Sequence, residues 1–439
     1  MGRPVVEWVK RIPADSPSEQ TVRRRIWAIA GLLLMASAIN YMDRQTLAAA
    51  SVRISGEFEL TEEQYGRIES RFATFFALGS LVFGLLADRF SVRWLYPTAL
   101  CLWSATGFAT GWSERYEHLL WCRSALGFFE AAHWPCALKT TQLLIQARGR
   151  ALGNGVLQSG TSIGAILTPV VMWWIMVQQG WSWRVGFQLV GVLGVFWIIG
   201  WLVITRSGDF VLSSERTLGG TPGTTGRPSL MEELSSPRTL RMLLAVLIAI
   251  SVINTTWQLL RAWLPKVLQQ QVGYSESQTL WFTALWFVFT DLGCIGAGYL
   301  AYRLAGRGWS VRASRLATFG LCSAACSMLV FVPWMNRGAA LLVILLISGA
   351  GALGVFPLYY SFTQDISRFR IGLITGVAGA VGWLVSSQFQ ILFGRWADRS
   401  GSFDRGILLA AGLPLAALAA FAFLWPRDIT VGSAEMLDS

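Results

Sequence analysis

The segment Gly84-Leu-Leu-Ala-Asp-Arg89 follows an apolar run, and the similar Gly298-Tyr-Leu-Ala-Tyr-Arg303 follows another apolar run 214 residues later. The starts of the first and the seventh apolar runs are separated by nearly the same number of residues. Similarity at a fixed offset indicates an internal duplication. Two parallel halves of six helices are an established plan for membrane proteins. The sequence therefore predicts an all-α membrane protein with twelve transmembrane helices in two six-helix halves.

The apolar runs and one polar stretch give the expected organisation of the chain. A helical span needs about 20 apolar residues, and twelve runs qualify. The Gly/Thr/Ser/Pro-rich part of the longest polar stretch predicts a flexible linker. The runs begin near Ile26, Phe72, Leu95, Leu119, Ala151 and Val185, and again near Met242, Leu280, Leu316, Ala339, Ile371 and Gly406. The predicted parts are a cytoplasmic tail (1–25), a first half (26–205), a cytoplasmic linker (206–239), a second half (240–425) and a cytoplasmic tail (426–439).

Composition excludes most classes of soluble protein. Of the 439 residues, 54% are hydrophobic and only 14% charged, and the mean hydropathy is +0.49, whereas a soluble domain carries about 25% charged residues. The net charge of +11 does not indicate nucleic-acid binding, because the Lys and Arg do not lie on a polar domain. Two His and six scattered Cys do not suggest a metal site or disulfides, so we expect free thiols. Since the sequence shows no Walker motif and no Ser/His/Asp set, we expect no enzyme activity, cofactor or metal.

The distribution of Lys and Arg predicts the orientation in the membrane. If both termini are cytoplasmic, the positive excess falls on the cytoplasmic side, which indicates a cell inner (cytoplasmic) membrane protein. The run after Arg23-Arg24-Arg25 has no small-residue cleavage site and predicts a retained helix. The expected external loops contain Glu57, Glu59, Glu62, Glu63 and Glu69 before span two, and Arg395, Asp398, Arg399, Asp404 and Arg405 between spans eleven and twelve.

Several motifs carry a family resemblance. Gly84-x-x-Ala-Asp88-Arg89-x-Ser91-x-Arg93 resembles the loop motif of the major facilitator superfamily, with Ser91 where that motif usually has Gly. Asn40-Tyr41-Met-Asp43-Arg44 in span one and Arg123-x-x-Leu-Gly127-x-x-Glu130 in span four make the chain look like the anion:cation symporter family. Gly160-Thr-Ser-Ile-Gly164 in span five supports that likeness.

Span seven narrows the resemblance further. Trp257-Gln258-Leu-Leu-Arg261-Ala-Trp263-Leu-Pro265-Lys266 looks closest to the bacterial hexuronate and galactonate branch. The likeness covers about Trp27–Trp425. It implies a transporter of organic anions such as sugar acids.

Charged residues in span one are candidates for the site. An ionisable side chain at the bilayer centre costs at least about 2.5–3.5 kcal/mol, so it usually faces a cavity or a partner. The planar fork of Arg44 fits a carboxylate, and the resemblance implies that the matching arginine binds the substrate's carboxylate. The alternative is a permanent ion pair with a nearby acid. Asp43 lies on a different face of the helix, and we interpret it as a proton-coupling acid or, alternatively, a structural partner.

Span four provides a second set of candidates. The resemblance implies that Glu130 is a protonation site, and burial favours the neutral form of a carboxyl group. Arg123 lies two turns earlier on the same face, and we expect a gating or partner role for it. The alternative is a fixed Arg123–Glu130 pair. His133, one turn past Glu130, is either a titrating neighbour or a neutral hydrogen-bonding residue.

Spans seven and eight each contain one more charge. Asp291 is a possible second proton site or a buried packing residue. Arg261 lies near the outer end of span seven, where it either extends to the interface or binds an anion.

Polar residues near these charges are candidates for contacts with sugar hydroxyls, since each hydroxyl needs a partner once it leaves water. For any one of them, the alternative is a hydrogen bond between helices. Trp383 stands where relatives often place Asn, which puts hydroxyl contacts on span eleven in doubt. The substrate-binding candidates are Tyr41, Arg44, Gln45, Thr161, Asn254, Trp257, Gln258, Arg261, Tyr359, Ser387 and Gln388.

The loop motif, comprising Gly84, Asp88, Arg89 and Arg93, is expected to act as a latch that forms in one state and breaks in the other. The alternative is a basic loop that only sets topology. Gly160/Gly164 and Gly372/Gly376/Gly379 are expected to let helices approach closely.

Together these features predict a secondary active transporter that couples proton entry to uptake of a hexuronate or an aldonate-like organic anion by alternating access. The alternative with the same fold is an uncoupled facilitator or exchanger of organic anions. A membrane enzyme and a sensor without transport are disfavoured. The expected partners are a small organic anion, protons and the lipid bilayer, with no nucleic acid, and we expect a monomer.

Overall fold

A computed structural model describes residues 17–144, 150–206, 236–366 and 371–426. All regular elements in these ranges are helices, so the predicted all-α class is confirmed. Most of the predicted linker (206–239) lies outside the described residues, as does the predicted tail from residue 427 onward. The first helix begins at Pro17, inside the predicted tail at 1–25.

The first group of helices precedes the predicted linker. It consists of α1 (Pro17–Ala49), α2 (Ser51–Glu57), α3 (Glu62–Arg89), α4 (Val92–Thr110), α5 (Tyr116–Glu130), α6 (His133–Leu144), α7 (Arg150–Trp173, continued by a π-helical turn at Trp174–Gln178) and α8 (Trp183–Ile204).

The second group follows the linker. It consists of α9 (Pro237–Lys266, continued by a π-helical turn at Val267–Gln271), α10 (Glu276–Gly306), α11 (Val311–Ser327, continued by a 3₁₀ segment at Met328–Trp334), α12 (Ala339–Gln364), α13 (Ile371–Ser400) and α14 (Asp404–Leu424).

The surface of the bundle is apolar, as a lipid-facing surface must be. Ten helical stretches in the described ranges are long and apolar enough to cross a membrane. Large side chains such as Val203 (76% exposed), Ile295 (70%) and Leu85 (65%) point outward. A soluble monomer rarely exposes so much contiguous apolar surface. The chain is therefore a multi-pass membrane protein.

The prediction that the charged residues before span two and between spans eleven and twelve lie in two external loops is wrong for most of them, because the neighbouring helices extend beyond their apolar runs. The helix α3 begins at Glu62 rather than near Phe72: Thr61 accepts a hydrogen bond from the Gln64 N–H, and Gln64 caps Thr61 in return. This capping box fixes the start of the helix ten residues earlier. Glu62, Glu63 and Glu69 therefore lie in α3, while Arg395, Asp398 and Arg399 lie in α13, and Asp404 and Arg405 begin α14.

The two groups meet mainly where α3 runs antiparallel to α13 and where α7 packs against α10. Close helix contacts depend on glycine at some of the expected positions. A Cβ at Gly160 would lie 2.2 Å from Leu34 O and one at Gly164 would lie 2.4 Å from Ala38 O, so α1 and α7 pack backbone to backbone. In contrast, within the described residues no atom lies within 4 Å of a Cβ placed at Gly376 or Gly379, so the prediction of a close helix approach is wrong at these two positions. The surroundings of Gly372 lie outside the described residues.

The six cysteines are free thiols, as predicted.

Candidate functional site

The central feature of the site is an ion pair between α1 and α5. Arg44 Nε donates to Glu130 Oε2 at 2.8 Å, and Arg44 Nη2 donates to Asn40 Oδ1 at 2.9 Å. Arg44 is 4% exposed and Glu130 fully buried. The alternative of a fixed Arg123–Glu130 pair is wrong, because Glu130 pairs with Arg44 instead. In this state the predicted substrate anchor is therefore held by the predicted proton acceptor.

A second buried acid, Glu69, connects the two groups of helices. Arg261 Nη2 on α9 donates to Glu69 Oε2 at 2.7 Å, and Arg123 Nη2 on α5 lies 3.7 Å from Glu69 Oε1. Arg261 Nε also donates to Gln258 Oε1 at 2.9 Å, and Nη1 donates to the Arg44 carbonyl at 3.3 Å. The interpretation of Arg261 as extending to the interface is wrong, because its side chain is buried against α3.

Some charged groups in this region are incompletely hydrogen-bonded. Asp43 is fully buried, and neither of its carboxylate oxygens has a hydrogen-bond partner among the described residues. The three guanidinium nitrogens of Arg123 likewise donate no hydrogen bond to any part of the chain that the structure describes. We use the name ion cluster for the six buried residues Asp43, Arg44, Glu69, Arg123, Glu130 and Arg261.

His133 is buried next to the ion cluster and is hydrogen-bonded through both ring nitrogens. Nε2 lies 3.0 Å from Ser37 Oγ, and Nδ1 lies 2.8 Å from the Tyr96 hydroxyl. A neutral imidazole donates through one nitrogen and accepts through the other, and a hydroxyl can take either role. This arrangement fits the interpretation of His133 as a neutral hydrogen-bonding residue.

Aromatic rings surround the Arg44 guanidinium. Its Cζ lies 4.7 Å from the Phe76 ring centroid, 5.1 Å from Phe72, 5.5 Å from Trp383 and 5.7 Å from Tyr41. We call these four residues the aromatic collar. Because Trp383 comes from α13 and the other three from α1 and α3, the collar spans both groups of helices.

Several predicted substrate-binding residues already have hydrogen bonds inside the protein. Asn254 Nδ2 donates to Gly382 O at 3.2 Å, and Trp257 Nε1 donates to the Tyr41 hydroxyl at 3.3 Å. The hydroxyls of Thr161 and Ser387 donate to the Gln158 and Leu384 carbonyls in their own helices, both at 2.7 Å.

The remaining candidates differ in their surroundings. Gln45 is buried on α1, with no partner for its amide nitrogen within the described ranges. Gln388 is exposed and donates to Ser387 Oγ at 3.2 Å. Tyr359 packs in an apolar cluster of the second group with Phe362 and Phe421, away from the ion cluster. Asp291 lies on α10 next to Ser162 of α7, apart from the other charges.

The predicted latch residues lie at the junction of α3 and α4. Gly84 and Arg89 belong to the last turns of α3, and Arg93 belongs to the first turn of α4, where its carbonyl accepts from Trp201 Nε1 at 3.0 Å. The side chain of Asp88 lies outside the described residues. The latch therefore stays a prediction.

The two groups of helices are joined at the distal end, which we define as the end of the bundle where α1 ends and α3 begins. Arg53 Nη2 donates to Glu276 Oε2 at 2.6 Å, and Arg395 Nη2 donates to Glu63 Oε1 at 3.0 Å. Lys266 donates to the Glu62 carboxylate, and the Asp398 carboxylate accepts from the backbone N–H groups of Glu62 and Glu63 at 2.8 Å each. We call these contacts the distal seal.

Sequence reasoning missed Glu69 and Lys266. Both lie outside or at the edge of an apolar run, so a search for charges inside runs does not select them. The available signal was Thr61-x-x-Gln64, which marks the start of a helix. If a helix begins at Glu62, the following residues Tyr65, Glu69 and Phe72 lie on one face of it, because they are three or four positions apart.

The fold and this site define a polytopic helical membrane protein with ionisable groups buried between two groups of helices. Residues 33–387 match the Major Facilitator Superfamily. The chain belongs to this superfamily, whose members are transporters.

Relatives with known names agree with the resemblance read from the sequence. The hexuronate transporter of Escherichia coli K12 is 24% identical over 396 residues, which cover 85% of this chain and 88% of the relative. The probable L-galactonate transporter of the same organism is 26% identical over 434 residues, covering 95% and 94%. The expected likeness to hexuronate and galactonate transporters is confirmed.

Solved structures show the same fold. The crystal structure of a D-xylose-proton symporter superposes with a TM-score of 0.72 at 14% identity, covering 91% of this chain and 97% of the other. A bacterial homologue of the human lysosomal transporter Spinster, in an inward-facing and occupied conformation, gives a TM-score of 0.66 at 17% identity, covering 93% and 95%.

Proposed function

We propose that this protein is a secondary active transporter that carries a sugar acid together with a proton by alternating access. The observation that carries the proposal is the buried Arg44–Glu130 pair, in which the cation suited to a carboxylate is bound to an acid that can take a proton. The names of the relatives supply the substrate class, a hexuronate or an aldonate-like anion.

The pair explains how a proton and an anion can be coupled. A substrate carboxylate and the Glu130 carboxylate compete for the same guanidinium. Protonation of Glu130 removes its charge and weakens its bond to Arg44, because the coulombic attraction between the two opposite charges, which is strong in a poorly solvated site, is lost. Arg44 is then available to the substrate. When the substrate leaves, Glu130 can return its proton and pair with Arg44 again.

The charge of the ion cluster supports one proton per monovalent anion. With all its groups ionised, the cluster carries three negative and three positive charges and is neutral. An anion alone would leave a net negative charge in a poorly solvated site, which is costly. An anion with one proton leaves the cluster neutral. Glu130 is our first choice for the proton, with Asp43 and then Asp291 as the further candidates.

The proposed architecture is twelve spans in two halves of six. The ten long apolar helices provide ten spans. We assign the eleventh span to α4 and the twelfth to the consecutive helices α5 and α6, taken together. We place both termini and the linker in the cytoplasm of a cell inner membrane, because that orientation puts the positive excess inside. Protease added to the outside of intact cells should not cleave the linker at 219–226, whereas protease added to inverted vesicles should cleave it.

Glu130→Gln tests the coupling, because glutamine resembles the protonated acid but does not release a proton. In proteoliposomes, the native protein should accumulate labelled hexuronate when the outside is acidic, and a protonophore should abolish the accumulation. The Gln variant should still exchange labelled for unlabelled substrate but should not accumulate it. Accumulation by the variant at the native level would remove Glu130 from the proton path. Exchange without gradient-driven accumulation in the native protein would instead identify an uncoupled facilitator or exchanger.

A further inference from the structure

The wall beside the proposed carboxylate anchor is aromatic rather than polar. The collar residue Trp383 packs against Phe76 with 4.7 Å between ring centroids and is only partly buried, so part of its indole surface remains accessible. The Arg44 guanidinium carbon lies 5.5 Å from the Trp383 ring centroid. A carboxylate bound to Arg44 would therefore bring the atoms attached to it close to this indole.

Two polar side chains near Trp383 are occupied within the protein, while the Ser386 hydroxyl, one turn away, is fully buried and has no partner among the described residues. The amide nitrogen of Asn254 donates to the carbonyl of Gly382, the residue before Trp383. The Ser387 hydroxyl, one turn later in α13, donates to the Leu384 carbonyl. A substrate hydroxyl directed at this part of the wall would lose its water without gaining a partner, which costs about 1–3 kcal/mol.

We propose that the preferred substrate is a ring-closed (pyranose) uronate, bound with its carboxylate at Arg44 and a C–H face of its ring on Trp383. The inference rests on the proposed function and specifies its substrate. A pyranose ring can present a patch of C–H groups to an aromatic surface, and aromatic side chains favour such contacts with apolar groups. An open-chain aldonate carries hydroxyls along its whole backbone and has no comparable rigid apolar face.

The test compares ring and chain acids of equal charge on the purified protein. The probes are D-galacturonate, its methyl glycoside, which is locked in the ring form, and D-galactonate, which is an open chain. The two ring compounds should bind about tenfold more tightly than the open chain, which corresponds to about 1.4 kcal/mol.

Two variants connect this preference to the indole. Trp383→Leu should lower the affinity for both ring compounds and change that for galactonate little, whereas Trp383→Phe, with a smaller aromatic face, should retain part of the preference. If the native protein bound the ring compounds and galactonate with equal affinity, or if Trp383→Leu lowered the affinity for all of them equally, the inference would be overturned and the proposed function would stand. If none of these acids bound the native protein, the proposed sugar-acid function itself would fail.

A second, independent observation concerns the distal end. The segment Gly394-Arg-Trp-Ala-Asp-Arg399 at the end of α13 repeats the pattern of Gly84-Leu-Leu-Ala-Asp-Arg89 at the end of α3. The Asp398 carboxylate accepts from the first two N–H groups of α3, which have no acceptor in their own helix. A Cβ at Gly394 would lie 2.2 Å from Glu62 O, so only glycine permits this approach.

We infer that Gly394–Arg399 is a latch that holds the two groups together at the distal end and is released when that end opens. Acidic groups stabilise the positive end of a helix dipole, and this one does so across the boundary between the groups. The contact is lost as soon as α3 and α13 separate there.

Accessibility of a buried position tests the latch. The reporter is a cysteine at Ser386, which is fully buried one turn from Trp383 toward the distal end. A membrane-impermeant maleimide is added to the outside, and labelling of the native cysteines is measured in the carrier without the reporter. Asp398→Ala should raise labelling of the reporter about fivefold, in line with the usual effect of losing a helix cap.

Asp404→Ala is the matched control, because Asp404 lies at the same end but accepts from Gln271 within its own group. It should leave labelling unchanged, while Asp398→Asn, which keeps one acceptor oxygen, should be intermediate. Folding of each variant is checked by size-exclusion chromatography. Folded Asp398→Ala protein that labels at the native rate would overturn the latch.

Discussion

The ion cluster and the distal seal are both built from charged residues, yet their polar atoms are satisfied to different degrees. In the cluster every residue is at most 4% exposed, and Asp43 and Arg123 have polar atoms without hydrogen bonds among the described residues. In the seal the Arg395, Glu63, Arg53 and Glu276 side chains are 22–42% exposed, and each carboxylate faces its cation directly. The difference indicates that the seal holds helices together, whereas the cluster keeps polar atoms that could take further partners, as the proposed function requires.

Loss of Arg44, the proposed substrate anchor in the cluster, should have the largest effect on function. In Arg44→Ala, binding of hexuronate should fall by tenfold to more than a hundredfold, because a charged hydrogen bond contributes about 1.5–3 kcal/mol. Arg44→Lys should restore little, since an ammonium group lacks the planar fork. Isothermal titration of the detergent-purified variants measures the change. Native affinity in Arg44→Ala would place the substrate elsewhere.

Breaking the connection between the cluster and α9 should have a large effect on stability. Arg261→Gln leaves Glu69 buried without its closest cation, which should destabilise the protein by about 3–5 kcal/mol. The double variant Arg261→Gln/Glu69→Gln should recover much of this loss, because the uncompensated charge is gone. Thermal unfolding in detergent compares the variants. A double variant as unstable as the single one would show that the pair does not act through charge.

An ion pair in the distal seal should contribute less to stability than the buried Arg261–Glu69 pair of the ion cluster. Arg395→Ala removes an ion pair whose arginine side chain is 42% exposed, and exposed pairs contribute little to stability because solvent screens the charges. The melting temperature should therefore change little relative to that of Arg261→Gln, when both are measured in the same detergent. A loss as large as that of Arg261→Gln would remove the distinction between seal and cluster.

The smallest effect on stability is expected at Asp43. Its carboxylate oxygens accept no hydrogen bond from the described part of the chain, so Asp43→Asn breaks no hydrogen bond and removes a buried charge that is costly to hold. The variant also leaves the cluster with one net positive charge, which offsets this gain. The melting temperature should therefore change little, in contrast to Arg261→Gln. A clear fall would show that the charge of Asp43 is needed to balance the nearby arginines.

Residues within apolar runs could be selected from the sequence, because a charge there is expensive and requires a partner or a function. This selects six residues. Five of them, Asp43, Arg44, Arg123, Glu130 and Arg261, lie together, whereas Asp291 lies apart beside Ser162. It does not select Glu69, since five acids before span two look like a solvated loop. Nor does it identify the partners, since neither the Arg44–Glu130 nor the Arg261–Glu69 pair follows from sequence spacing when its members lie on different helices.

The sequence by itself determined the helical membrane class and the family resemblance, because length, hydropathy and short motifs are local properties of the chain. It also indicated that some charges inside apolar runs, such as Asp43 and Glu130, would be buried. Only the tertiary structure decided that α3 and α13 pack antiparallel along their lengths, that Asp398 caps α3 and that aromatic rings enclose Arg44. These contacts depend on how helices separated by hundreds of residues pack, and a side chain's partner is set by that packing rather than by its own neighbours in the chain.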